Sequence, residues 1–344
     1  MRVVYSPLHA RHDGGVELHR GALVPSFESP ARANFILQAL QQNGFAIVPP
    51  RDIPGARLLG VHDAGFVEFL SGAYARWTAG GRDGSMLPSG FPARGLRQDH
   101  RPSGINGAMG FYTFDASTPI VFGTWDAALA AARCAMTAAA LVAEGDSAAY
   151  ALCRPPGHHA GRSFYGGYCY LNNASLAAQY LLDHGCARVA MLDVDYHHGN
   201  GTQEIFWTRD DVLFVSLHAT PESEYPYFLG YADERGAGRG DGYTLNLPLP
   251  LGTGWQEYRA ALMVGLGAIA RFKPDALVVS LGVDTFEADP ISAFRLTGAD
   301  YPQLGACVAA AGLPTVLVQE GGYAVAEIGA NVAGVLAAFA GRTL

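Results

Sequence analysis

Cysteine is scarce and unpatterned in this chain of 344 residues. The five present, Cys134, Cys153, Cys169, Cys186 and Cys307, are odd in number and widely spaced. Without CxxC or finger spacing, a disulfide framework and a structural zinc site are both disfavoured, and reduced, mostly buried thiols are expected. Charge is thin as well, at 16% of residues, and positive charge is the scarcer sign. A net charge of −8 repels nucleic acid and favours a small cationic substrate. No apolar stretch of signal-peptide length follows the strand-like Met-Arg-Val-Val-Tyr start. The apolar runs around Ala127–Ala143 and Tyr323–Ala340 are broken by Arg133, and by Glu327 and Asn331, and read as buried helices rather than membrane spans. The expectation is a soluble cytoplasmic protein that engages neither nucleic acid nor membrane.

What is abundant is apolar residues, 49%, and glycine, 43 residues. The first implies a large core, the second many tight loops, where an α/β enzyme keeps its chemistry. Apolar runs at Arg2–Tyr5, Ala46–Val48, Ala148–Cys153, Arg188–Val194, Val212–Leu217, Ala276–Leu281 and Pro314–Gln319 read as strands. Helices are expected after Ser29-Pro30, over Val61–Leu70, over Thr124–Ala143 with Thr124 as cap, over Asn173–His184 and Trp255–Arg271, and at the C-terminus. This alternation predicts an α/β fold, a mostly parallel multi-stranded sheet with helices on both faces. One domain over residues 1–344 is expected, with a long loop insertion at about 78–119, rich in Gly, Pro, Ser and Arg. His62 reads as a helix start or a core contact.

The chemistry centres on Asp193-Val194-Asp195-Tyr196-His197-His198-Gly199-Asn200-Gly201, directly after the apolar run Val189–Leu192. Alternate side chains of a strand share a face, so Asp193, Asp195 and His197 can project together where the strand ends. Two carboxylates and an imidazole suit a divalent ion. Ligands of parallel sheets bind beyond the carboxyl ends of the strands, and three further strand ends carry unusual residues. One leads into Arg154-Pro155-Pro156-Gly157-His158-His159, with a histidine pair suited to acid–base work, followed by Gly166-Gly167-Tyr168-Cys169-Tyr170. Another leads into Gly282-Val283-Asp284 with Asp289-Pro290, and the last into Glu320-Gly321-Gly322-Tyr323. Taken singly, each of these is compatible with an ordinary turn.

Together, and in this order, these motifs resemble the zinc-dependent histone deacetylase superfamily over nearly the whole chain. The Glu17-bearing first loop, the insertion and the Asp-Tyr-His-His-Gly-Asn-Gly form look most like the bacterial acetylpolyamine amidohydrolases. The resemblance implies the arginase/deacetylase fold and a hydrolase that removes acetyl groups from acetylated amines. It implies Zn²⁺, or Fe²⁺ in vivo, on Asp195, His197 and Asp284, with an open position for water and substrate. His159 would be general base and then acid, His158 its electrostatic partner oriented by Asp193, Asn200 the residue facing His159, and Tyr323 the donor to the developing oxyanion. Gly167, Tyr168, Tyr225 and Ile291 would line the substrate tunnel, with Glu17 and His19 near its mouth. A structural K⁺ would sit on carbonyls of Asp193, Asp195, His197 and Leu217 with the Ser216 hydroxyl. The insertion implies a homodimer.

Two departures bear on substrate. Asn200 stands where many eukaryotic relatives carry Asp. Asn106 and Ser117 stand where polyamine enzymes of this type carry further carboxylates, with Asp115 nearby but not equivalent. Glu17 still favours a small cationic acetylated amine, such as acetylputrescine, acetylcadaverine or acetylspermidine. The alternatives are a protein or peptide acetyl-lysine deacetylase on the same site, a dimanganese arginase-like hydrolase, and a silent acetyl-amine binder. The arginase reading needs an Asp at the position of Gly199. The silent binder does not account for the retained tyrosine, histidines and ligands.

Overall fold

The computed structural model describes residues 1–342. Its centre is an eight-stranded sheet in which every neighbouring pair is parallel. The strands are β1 (Arg2–Val4), β4 (Ala46–Val48), β5 (Ala148–Ala151), β6 (Val189–Asp193), β7 (Val212–Ala219), β8 (Thr244–Leu249), β9 (Ala276–Leu281) and β10 (Thr315–Gln319). β2 (Val16–His19) and β3 (Ala22–Pro25) form a separate antiparallel hairpin, an element that sequence reading leaves as a glycine-rich loop.

The order across the sheet is β4-β1-β5-β10-β9-β6-β7-β8. The four strands that precede the chemistry-bearing stretches, β5, β10, β9 and β6, are therefore consecutive neighbours. Parallel pairing sends all their carboxyl ends to the same rim, which is why motifs far apart in sequence meet in space.

Strand periodicity feeds two cores. In β6, Val189 and Met191 pack on one face while Ala190 and Leu192 pack on the other; in β9, Ala276 and Val278 are similarly opposed to Leu277, Val279 and Leu281. One face is covered by α2 (Ala64–Ala79), α4 (Thr124–Ala143) and α5 (Asn173–Asp183), the other by α1 (Pro30–Gln42), α7 (Trp255–Phe272), α8 (Asp300–Ala309) and α9 (Ile328–Phe339). With both faces covered, strands have no polar side to present, and their sequences read as continuous apolar runs. Truncating a fully buried position such as Leu192 to alanine costs about 2–5 kcal/mol. α4 is long and apolar enough to cross a membrane, but 78% of its apolar window is buried inside the protein.

Local signals act as expected at several ends. Pro30 starts α1, and Gly44, at φ +69°, lies just beyond it. The Asn172 side chain accepts from Ser175 N at 2.9 Å and caps α5. Thr124 does not cap α4. Gly123, at φ +84°, holds the cap position, and Thr124 Oγ1 instead accepts from Val121 N at 2.8 Å. The 78–119 insertion is not wholly irregular: α3 (Ile105–Tyr112) lies within it, and Met86 bridges to Ile120. Met86, Ala108, Met109 and Tyr112 supply the buried apolar side chains that order it.

Candidate active site

The site is built outward from the end of β6. Asp193 Oδ1 accepts from Asp195 N at 3.1 Å, and Asp195 Oδ1 accepts from His197 N at 2.9 Å. These short-range side-chain bonds curl the chain as it leaves the strand. Asp284, beyond β9, accepts from Tyr196 N at 2.8 Å through Oδ1, and its Oδ2 lies 3.0 Å from His197 Nδ1. The second carboxylate, Asp195 Oδ1, is 3.5 Å from the same nitrogen. One ligand atom from each of Asp195, His197 and Asp284 lies within 4.8 Å of the others, and all three residues are buried.

Glycine is required around this cluster. A Cβ on Gly321 would stand 2.5 Å from Asp284 Oδ2 and 2.6 Å from Asp195 Oδ2, while Gly321 N donates to Asp195 Oδ2 at 2.7 Å. A Cβ on Gly282 would overlap Asp195 Oδ2. Burial, then the neighbouring Asp195 charge, push Asp284 up to about 7. Two buried like charges beside one imidazole call for a cation. The donor set, the cradle and the electrostatics all fit a divalent metal with oxygen and nitrogen ligands and open positions.

The histidine pair comes from the loop after β5. Glu320, at the end of β10, accepts from Gly157 N at 2.6 Å and His158 N at 3.1 Å, and so ties that loop to the neighbouring strand. His158 Nδ1 lies 3.0 Å from Asp193 Oδ2, and His159 Nδ1 lies 2.7 Å from Asn200 Oδ1, the first residue of α6 (Asn200–Phe206). The two rings are 4.0 Å apart. Their proton affinities diverge. Burial pulls His158 down, but Asp195 and Asp193 outweigh it and raise the imidazole to about 10. Burial, then His158 and His197, drive His159 well below the ordinary range. One ring holds its proton, and the other is kept neutral with a lone pair free.

Tyr323 follows Gly322, whose φ of +122° turns the chain. Tyr323 N donates to Asp289 Oδ2 at 2.7 Å, and the Arg32 guanidinium stands 4.6 Å from the ring centroid. Arg32 is buried; it donates to Gly322 O at 2.6 Å, Glu320 O at 2.5 Å and Glu28 Oε1 at 2.8 Å. Arg154 Nε lies 2.8 Å from the same Glu28 oxygen.

His159, His197 and Tyr323 face a cavity of about 420 Å³. Gly167, Tyr168, Tyr225 and Ile291 line it, as do Glu17 and His19, so every tunnel residue expected from sequence lies on this one cavity. Arg20 and Phe228, not singled out from sequence, also line it, and Phe228 is 87% exposed. Asp115, to which the sequence assigns no role, stands inside the wall. Asp115 Oδ2 accepts from Gly167 N at 2.6 Å, Tyr225 OH at 2.9 Å and Thr118 Oγ1 at 3.3 Å. Nothing in the sequence near Asp115 marks this role, because its partners lie about 50 and 110 residues away. Glu17, 1% exposed, accepts from Tyr168 OH at 2.7 Å, Ser26 Oγ at 3.0 Å and Phe27 N at 3.2 Å.

Ser117 lines the same cavity, whereas Asn106 borders a separate hollow with Phe91 and His100. Ser216 and Leu217 lie on β7, with Ser216 in register with Asp193 across the sheet and its Oγ 2.8 Å from His218 Nδ1. His62 is a buried structural contact: its Nδ1 is 2.9 Å from Gly161 O and its Nε2 accepts from Asn172 N at 3.0 Å.

Comparison with known proteins agrees with this geometry. Residues 26–339 match the histone deacetylase domain. Acetylpolyamine amidohydrolase 1 of Pseudomonas aeruginosa is 52% identical over 343 residues, covering 99% of each chain. Acetylpolyamine amidohydrolase of Mycoplana ramosa is 50% identical over 343 residues, covering 99% of this chain and 100% of its own. The crystal structure of acetylpolyamine aminohydrolase from Burkholderia pseudomallei superposes with a TM-score of 0.95 at 40% identity, over 98% of both chains. The fold is the α/β arginase/deacetylase fold, and the chain belongs to the histone deacetylase family of metal-dependent hydrolases.

Proposed function

We propose that this protein hydrolyses the acetyl amide of small acetylated amines, with acetylpolyamines such as acetylputrescine, acetylcadaverine and acetylspermidine as substrates. The observation that carries the reading is the meeting of His159, His197 and Tyr323 on one narrow cavity. The relatives that match over their full length carry the name acetylpolyamine amidohydrolase, which supports the same substrate class. Interior carboxylates Glu17 and Asp115 give the cavity a negative potential suited to a cationic amine.

Asp195, His197 and Asp284 would hold Zn²⁺ or Fe²⁺, which when bound polarises the acetyl carbonyl and makes water a nucleophile near neutral pH. The chain supplies the rest. His159, neutral and with Nδ1 engaged by Asn200, offers Nε2 to take the proton of the attacking water and return it to the departing amine. His158, held charged by Asp193 and Asp195, stabilises the negative charge that develops beside it. The Tyr323 hydroxyl donates to the carbonyl oxygen as it becomes an oxyanion. A K⁺ on the carbonyls of Asp193, Asp195, His197 and Leu217 with Ser216 Oγ would brace the strand ends beneath. The exposed Phe91 and Leu96 of the insertion support a homodimer through that segment, which light scattering tests directly.

The deciding experiment compares kcat/KM of Zn²⁺-loaded enzyme on acetylputrescine, acetylcadaverine, acetylspermidine and an acetyl-lysine peptide. The small amines are expected to win by more than about tenfold, roughly 1.4 kcal/mol of transition-state discrimination. A win for the peptide would make this a protein deacetylase on the same scaffold.

A further inference from the structure

We propose that Asp289 is a positioning residue for the Tyr323 phenol, its carboxylate fixing the backbone from which the oxyanion donor is aimed. The inference rests on the amide-hydrolase reading of the site. It gives a task to the Asp289-Pro290 pair, which that reading leaves without one.

Tyr323 follows two glycines, Gly321 and Gly322, the second at φ +122°. A chain that enters through two residues without Cβ has little stiffness of its own. The ring is packed by Arg32, 4.6 Å from its centroid, and by Tyr168, with centroids 5.6 Å apart. Such contacts constrain the plane of a ring, but where its hydroxyl stands depends on the backbone that carries it. Ahead of the tyrosine, Gly321 N is bonded to Asp195 Oδ2 at 2.7 Å and Gly322 O to Arg32 at 2.6 Å. At the tyrosine itself the backbone is held by Asp289. Its Oδ2 accepts from Tyr323 N at 2.7 Å and from Ala324 N at 3.3 Å.

Asp289 is well placed to serve as a fixed point. It is buried, and it stands behind the cavity rather than on it. Its N donates to Phe286 O at 3.0 Å, and its Oδ1 accepts from Ile291 N at 3.1 Å. Pro290, between them, has a locked φ and no N–H, so the turn closes on Ile291. The same segment is tied down by Glu287 N to Leu296 O at 2.9 Å and Leu296 N to Thr285 O at 3.2 Å. One carboxylate therefore joins two stretches 34 positions apart, and each contributes a side chain, Ile291 or Tyr323, to the cavity wall. Hydrogen bonds to an ionised carboxylate are roughly twice as strong as neutral ones, which suits a bond that must hold a glycine-led segment still.

The test is steady-state kinetics of Zn²⁺-loaded enzyme on N-acetylputrescine and N-trifluoroacetylputrescine. Wild type, Asp289→Ala, Asp289→Asn, Tyr323→Phe and the Asp289→Ala/Tyr323→Phe double variant are compared, each checked for metal content and cooperative unfolding. Asp289→Ala is expected to lower kcat on the acetyl amide by about 10²-fold with metal content unchanged, the loss typical of a misplaced group. The fluorine-activated carbonyl needs the phenol less, so the trifluoroacetyl-to-acetyl ratio of kcat should rise at least about fivefold, in the same direction as in Tyr323→Phe. In the Tyr323→Phe background there is no hydroxyl left to aim, and removing Asp289 should change kcat by less than about twofold. Asp289→Asn keeps one uncharged oxygen for Tyr323 N and Ala324 N, and should fall between wild type and Asp289→Ala. Should Asp289→Ala not fold, Asp289→Asn decides, with a rise in the ratio of at least about twofold expected. Equal losses on both amides, or losses that multiply in the double variant, overturn the proposal. So does a change confined to KM, which would place the effect at the Ile291 wall. In each of these cases wild type still hydrolyses the acetyl amide and the hydrolase reading stands. If wild type hydrolyses neither amide, that reading falls and takes the role of Asp289 with it.

Discussion

His159 Nδ1 stands 2.7 Å from Asn200 Oδ1, and both residues are buried. An amide oxygen can only accept, so Nδ1 carries the proton and Nε2 keeps its lone pair for catalysis. An aspartate here would favour the imidazolium. Asn200→Asp is therefore expected to raise the His159 pKa and move the acidic limb of the kcat/KM profile to higher pH. An acidic limb at its original position in Asn200→Asp would show that another group controls it.

Tyr323 and His159 face the same cavity as His197 but are not metal ligands in the arrangement proposed here. Tyr323→Phe should reduce kcat by roughly 10²–10³-fold with metal content unchanged. His159→Ala should abolish measurable turnover, also without metal loss. Metal analysis of each purified variant is the check, and release of metal by His159→Ala would make that residue a ligand.

Metal dependence should be steep in pH. In the metal-free protein, burial and Asp195 hold Asp284 at about 7, so metal must displace a proton to bind below that pH. The folded pKa lies above the unfolded value. Asp284 therefore costs the metal-free fold stability progressively as pH rises from about 4 toward 7, and bound metal removes that cost. The gap in Tm between Zn²⁺-loaded and chelated protein should widen from pH 5.5 to 7.5. A gap independent of pH would contradict the assignment of Asp284 as a ligand.

Glu28 is the common partner of Arg32 and Arg154, and all three side chains are at most 2% exposed. Glu28→Ala leaves two buried guanidinium groups without a carboxylate and should destabilise the protein by about 3–5 kcal/mol, read by urea unfolding. A loss under about 1 kcal/mol would mean that water or the surrounding carbonyls suffice.

The sheet and most of the site were legible because their determinants are contiguous. Val189–Asp193 and Ala276–Leu281 are uninterrupted apolar stretches, and the reactive residues follow within a few positions. Segments held by distant partners were not legible. The β2–β3 hairpin, α3, α6, β8 and α8 carry weak local signals, and Asp115 gains its role only from Gly167 and Tyr225. Thr124 misled for a local reason. Threonine is a common cap, but the left-handed turn at Gly123 takes that position and leaves the hydroxyl to Val121 N. Nor does sequence reveal that Glu17, visible as a carboxylate near the mouth, spends its oxygens on Tyr168, Ser26 and Phe27.

The parallel sheet leaves its opposite rim with no part in the chemistry. There the chain returns from helix to strand through short turns, among them Gly145 after α4, Gly185 after α5 and Gly312 after α8, at φ of +111°, +112° and +65°. A Cβ at any of these three positions would meet nothing within 4 Å. Open turns of this kind are where a chain best tolerates foreign segments. That rim is the side on which to tether the enzyme to a support or graft a reporter, with the cavity facing away.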